Sequence, residues 1–73
     1  MKIKITKKQQ KEIAKIQKVI AIHQLEQEKL VDKFIASMKL GDEVIDTGTY
    51  VSKKQDVIWD YIYNNSHWMI ELE

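Results

Sequence analysis

From Thr6 to Leu40 the chain contains neither glycine nor proline, and its apolar residues recur at helical spacing. Ile13, Ile16, Ile20, Val31, Phe34, Ile35 and Met38 fall on one stripe of a 3.6-residue helix. Ala14, Ala21, Leu25 and Ala36 make a second, smaller stripe beside it. Thr6 is suited to cap the helix start, and Gln9 three residues on completes a weak capping box. Lys39 in the last turn and Gly41 just past Leu40 read as the stop. The expectation is one long amphipathic helix over about residues 6–40.

His23, Gln24 and Gln27 interrupt the main stripe halfway. Three arrangements fit them: a break into a helical hairpin, a solvated stretch, or a polar layer in a helix–helix interface of coiled-coil type. No Gly, Pro or Asn cluster marks a turn there. An unbroken helix of this length would extend about 50 Å at 1.5 Å per residue. The rest of so short a chain cannot cover it. The first half of the helix, with Ile13, Ile16, Ile20, His23 and Gln27, is therefore expected to project into an oligomer or partner interface.

The remaining segments read as short strands. Ile3 and Ile5 alternate with Lys2 and Lys4, as in an edge strand or an extended arm. Val44 and Ile45, then Asp46-Thr47-Gly48-Thr49, then Tyr50 and Val51 read as a β-hairpin. Residues 53–63 fit two descriptions. As a helix capped by Ser52 with Gln55 in the box position, they place Val57, Ile58, Tyr61 and Ile62 on one face. As a strand, they align Val57, Trp59, Tyr61 and Tyr63, and the β-branched and aromatic density favours this version. Trp68, Ile70 and Leu72 alternate with Met69, Glu71 and Glu73 as a half-buried strand, expected to pair with 57–63 across an Asn-Asn turn. The fold class is thus α+β. The long helix is followed by a small antiparallel meander over about 43–73, with 53–63 as a second helix in the alternative version.

With 73 residues the chain is expected to form one small domain over 1–73, near the size at which a single core stabilises a fold only marginally. It has no cysteine, which removes disulfides, thiolate nucleophiles and sulfur metal ligands. Small domains without such staples often gain stability from association. No apolar segment near Met1 resembles a signal peptide, and no run of 18 apolar residues occurs. A cytoplasmic protein without a membrane partner is the expectation.

The net charge of +1 conceals a strong asymmetry. Residues 1–18 carry +6, residues 19–39 are neutral, and residues 40–73 carry −5. Every cation is a lysine, a point charge without the bidentate fork of arginine, which makes reading of a DNA sequence less expected. Lys7, Lys8 and Lys11 occupy the opening turns of the helix, where its dipole favours acids.

Little in the sequence points to catalysis. His23 and His67 are the only histidines, without metal-ligand spacing around them. Asp56 and Asp60 would stand side by side on a helix, where a solvated face beside Lys53 accounts for them. Gly41 and Gly48 are too few for a phosphate loop, and no serine stands in a nucleophile elbow. No catalytic residue, metal or cofactor is assigned. The expectation is a non-enzymatic interaction protein, a regulator, inhibitor or mobile-element accessory protein, acting through its long helix. A homo-oligomer, a dimer first, and a protein partner are expected. Tyr50, Trp59 and Trp68 are candidates for an aromatic hot spot. Two alternatives stand beside this. Lys2, Lys4, Lys7, Lys8 and Lys11 would form a phosphate-tracking arm on nucleic acid, or the acidic C-terminal half would mimic DNA as an inhibitor.

Overall fold

Ile3 and Ile5 point inward and the lysines between and before them outward, making strand β1 (Ile3–Ile5). The structure is a computed structural model that describes residues 2–22 and 28–73. Its class is α+β. Thr6 ends β1 and starts α1 (Lys7–Ile22) through the anticipated capping box. The Thr6 N–H donates to Gln9 Oε1 at 2.9 Å, and the Gln9 N–H donates to Thr6 Oγ1 at 3.1 Å.

The expected single helix is two, α1 and α2 (Glu28–Ser37). An unbroken rod of about 50 Å would exceed the molecule's longest dimension of 37 Å. Folding in two lets both halves of the apolar stripe bury in one core: Ile13 and Ile16 from α1, Val31, Phe34 and Ile35 from α2. The interruption at His23, Gln24 and Gln27, like Leu25 of the second stripe, lies outside the described residues. Ala14, Ala21 and Ala36 of that stripe face solvent.

Helix α2 stops at Ser37, earlier than Lys39 and Gly41 imply. The last turn tightens, with the Met38 N–H donating to the Ile35 carbonyl and the Lys39 N–H to the Ala36 carbonyl. Ser37 Oγ donates to the Phe34 carbonyl. Lys39 adopts a left-handed φ of 53° beyond the helix, and Gly41 follows at 72°.

Strands β2 (Val44–Asp46) and β3 (Val51–Lys53) form the expected antiparallel hairpin, with Ile45 opposite Ser52. Asp46 Oδ1 accepts from the Gly48 N–H at 2.8 Å, and Gly48 takes a φ of 86°.

The favoured strand over 53–63 is a helix, α3 (Lys54–Asn64). Its buried residues are Val57, Ile58, Tyr61 and Ile62, those the helical period groups together. A strand would set Ile58 and Ile62 on the same face as Asp56 and Asp60, so burying the isoleucines would desolvate two carboxylates. The helix turns both acids away from the core. Ser52 is not its cap. It lies in β3, and Lys53 stands at the N-cap with no side-chain bond. Asn65, left-handed at φ 53°, closes the far end.

The meander is likewise replaced. β4 (Ile70–Leu72) pairs in parallel with β1, Ile3 opposite Ile70 and Ile5 opposite Leu72. With 54–64 helical there is no neighbouring strand for it, and the apolar edge of β1 takes that place. Met69 at φ 57° breaks the extended run between Trp68, which is exposed, and Ile70, which is buried; Leu72 at the end of β4 is exposed. Gln10 Nε2 ties the pair to α1, donating to the carbonyls of Ile5 and Glu73.

The core draws on every element but β3. Ile5, Ile13, Val31 and Ile58 are its most enclosed side chains. Both α1 and α2 lie on α3, where Gln17 Nε2 of α1 donates to the Ile62 carbonyl at 3.2 Å. No described helix is long and apolar enough to cross a membrane.

Candidate docking groove

Because α1 and α2 both rest on α3, their outer flanks leave a trough between them. The trough has a volume of about 410 Å³, with a floor of Ile16, Val19, Leu30 and Phe34. Its rim carries Lys15 and Glu12 from α1, and Lys33 and Ser37 from α2. The lining runs from Glu12 to Val19 on α1 and from Leu30 to Ser37 on α2, so each wall spans about two helical turns. Leu30 is 40% exposed and Ile22, on the outer side of α1, is 74% exposed. A concave apolar floor with a charged rim is the usual form of a site that receives another molecule's side chains.

Of the residues expected to meet a partner, Ile13 and Ile16 have one within the chain. They are 1% and 6% exposed, packed in the core. The rod that would have left them bare does not form. Ile16 still shows one edge at the groove floor. Ile20 is half-buried and turns toward α3, lining a shallow hollow with Gln17, Ile62 and Tyr63. His23 and Gln27 lie outside the described residues.

Lys2, Lys4, Lys7, Lys8 and Lys11 are all exposed. On α1 the lysines at 7, 8 and 11 continue through Lys15 and Lys18 at spacings of three and four, forming one cationic face. Lys54 with Glu43, 2.8 Å apart, is the one ion pair among the described residues, so none of these lysines is neutralised within them. That pairing holds the Glu43 carboxyl below its ordinary pKa, chiefly through the hydrogen bond from Lys54.

The aromatic candidates do not converge. Trp59 is half-buried and stacks on Tyr63, ring centroids 4.8 Å apart and planes 8° from parallel. Tyr50 and Trp68 meet edge to face at 6.4 Å on the far side, tying the hairpin tip to the loop before β4. Around Trp59 and Tyr63 stand Asp56 and Asp60, making the outer face of α3 acidic. Partial burial, and then the nearby Glu28 and Asp32 carboxylates, raise the Tyr63 phenol above its ordinary pKa. His67 packs edge to face on Tyr61 at 5.3 Å. Among the described residues no three His, Asp or Glu side chains come together as metal ligands would.

The groove residues Val19, Leu30 and Lys33 are the ones sequence reasoning overlooks. On a continuous helix, positions 19 and 30 lie about 16 Å apart along the axis, and only the fold-back brings them to one trough. The available signal was their helical offset from Ile16 and Phe34. No protein-family model matches the chain, and no curated protein or solved structure is detectably similar to it.

Proposed function

We propose that this chain is a non-enzymatic protein–protein interaction module that holds a partner in the groove between α1 and α2, as a regulator or inhibitor of a larger assembly would. The observation that supports it is the apolar floor of exposed Leu30 and half-buried Val19, continuous with the core through Ile16 and Phe34. Water contact with that floor is unfavourable by roughly 25 cal/mol per Å² of apolar surface, which a partner's side chains would relieve. Leu30→Asp tests the reading, since Leu30 is outside the core and its replacement leaves the fold intact. Protein co-purifying from the native host with the wild-type chain is expected to be lost from the variant, with unchanged circular dichroism. Equal retention of the same proteins by both would refute it.

The cationic face of α1 supports a second reading, attachment to nucleic acid by phosphate contacts. Its signature would be an affinity that falls steeply with salt and shows little sequence preference. It is disposed of if Lys7, Lys8, Lys11, Lys15 and Lys18 can be changed together to Gln with no loss of binding to duplex or single-stranded DNA at low salt.

A further inference from the structure

The rim of the groove restricts what can occupy it. Lys15 stands on one wall and Lys33 on the other, and Glu12 is the single acid among the lining residues. The same edges continue in lysine, through Lys11 and Lys8 one and two turns before Lys15 and through Lys29 one turn before Lys33. All of these are exposed, and none takes part in an ion pair among the described residues. The trough is thus apolar at the bottom and cationic along both margins.

We propose that the groove takes an acidic amphipathic helix from another protein, with apolar side chains on the floor and carboxylates against the two lysine margins. The proposal rests on the reading of the groove as a docking surface and adds the chemistry of the occupant. Two turns of wall, about 10 Å long, match a helix presenting apolar anchors at i, i+3 or i+4, and i+7. Such a helix would lie alongside α1 and α2 as a third rod, satisfying all its backbone bonds internally.

Other occupants fit less well. A second copy joined face to face by a two-fold axis would set the lysine margins of one groove against those of the other. Nucleic acid would satisfy the lysines but leave the Val19, Leu30 and Phe34 floor wet, with no aromatic platform for bases beyond one phenyl ring. A lipid surface needs a convex apolar face to enter it, and this one is concave.

A displayed library of helix-forming 16-residue peptides tests the proposal. Its core positions are fixed as Leu, Ile or Phe, and its flanking positions are randomised among Glu, Lys, Gln and Ala. The library is panned on the full chain at low salt and each binder is re-tested on Leu30→Asp. The expected result is binders enriched in Glu at the flanks that lose affinity on Leu30→Asp. On Lys15→Gln with Lys33→Gln they should weaken by roughly threefold to tenfold, the range of two exposed ion pairs. That loss should shrink at high salt. Binders that need Leu30 but carry neutral or basic flanks would overturn the acidic occupant and leave the docking reading standing. No binder dependent on Leu30 would overturn both. Concentration-dependent self-association that requires Leu30, seen by sedimentation of the chain alone, would identify a second copy as the occupant and overturn the proposal.

Discussion

Ile58 has no exposed surface and sits where α3 meets the other elements, so its deletion cannot be repaired by small adjustments. Ile58→Ala is expected to cost about 2–5 kcal/mol, transfer plus cavity, measured by urea unfolding monitored by circular dichroism. A loss under ~1 kcal/mol would mean that this core is not packed as described. Lys39 offers a change of opposite sign. Its left-handed φ of 53° is strained for a residue with a Cβ. Lys39→Gly relieves that strain but also loosens the unfolded chain, so the net expected gain is about 0.5–1 kcal/mol in the same assay. At this scale the sequence was informative where chemistry is local. The Thr6–Gln9 reciprocal bonds and the Asp46–Gly48 turn depend on residues three or two apart, and both form as read. The left-handed conformations of Lys39 and Met69 were not legible, because only tertiary packing forces a non-glycine residue there.

Among the elements, α3 shows how tertiary context decides between two local readings. Its β-branched and aromatic residues favour a strand by propensity, yet burial sorts them by the helical period. Separation of Asp56 and Asp60 from Ile58 and Ile62 outweighs a propensity difference of at most about 1 kcal/mol per residue. The start of α3 is fixed to the start of β2 by Glu43, whose carbonyl accepts from the Lys54 N–H and whose carboxylate takes the Lys54 ammonium. Because the folded state lowers the Glu43 pKa, its contribution is present above the unfolded carboxylate value and fades as pH falls through the folded one. Glu43→Gln should therefore lower the melting temperature slightly at neutral pH and leave it unchanged in strong acid. A deficit that persists in acid would assign the effect to something other than the charge. The pairing of β4 with β1 was hidden for a related reason. Each strand has its apolar alternation in the sequence, but the partner follows from which elements become helices.

Across the whole molecule, the segregation of charge along the sequence survives folding as a cationic α1 flank and an acidic outer face on α3. The apolar stripe from Ile13 to Met38 was correctly identified as a burying surface, and its two halves meet in one core once the helix divides. The division was one of the three arrangements that the interrupted stripe allowed, and it was not the favoured one because no glycine, proline or asparagine cluster marks a turn. It also moves the candidate interface from Ile13 and Ile16, now enclosed, to the trough whose floor includes Val19 and Leu30. Hydrogen–deuterium exchange on the full chain, free and bound to the protein it retains from its host, examines this relocation directly. Slower exchange on binding is expected in residues 12–19 and 30–37 together, with little change in the β2–β3 hairpin. Slowing confined to residues 44–53 and the segment around Trp68, with both groove walls unaffected, would contradict it.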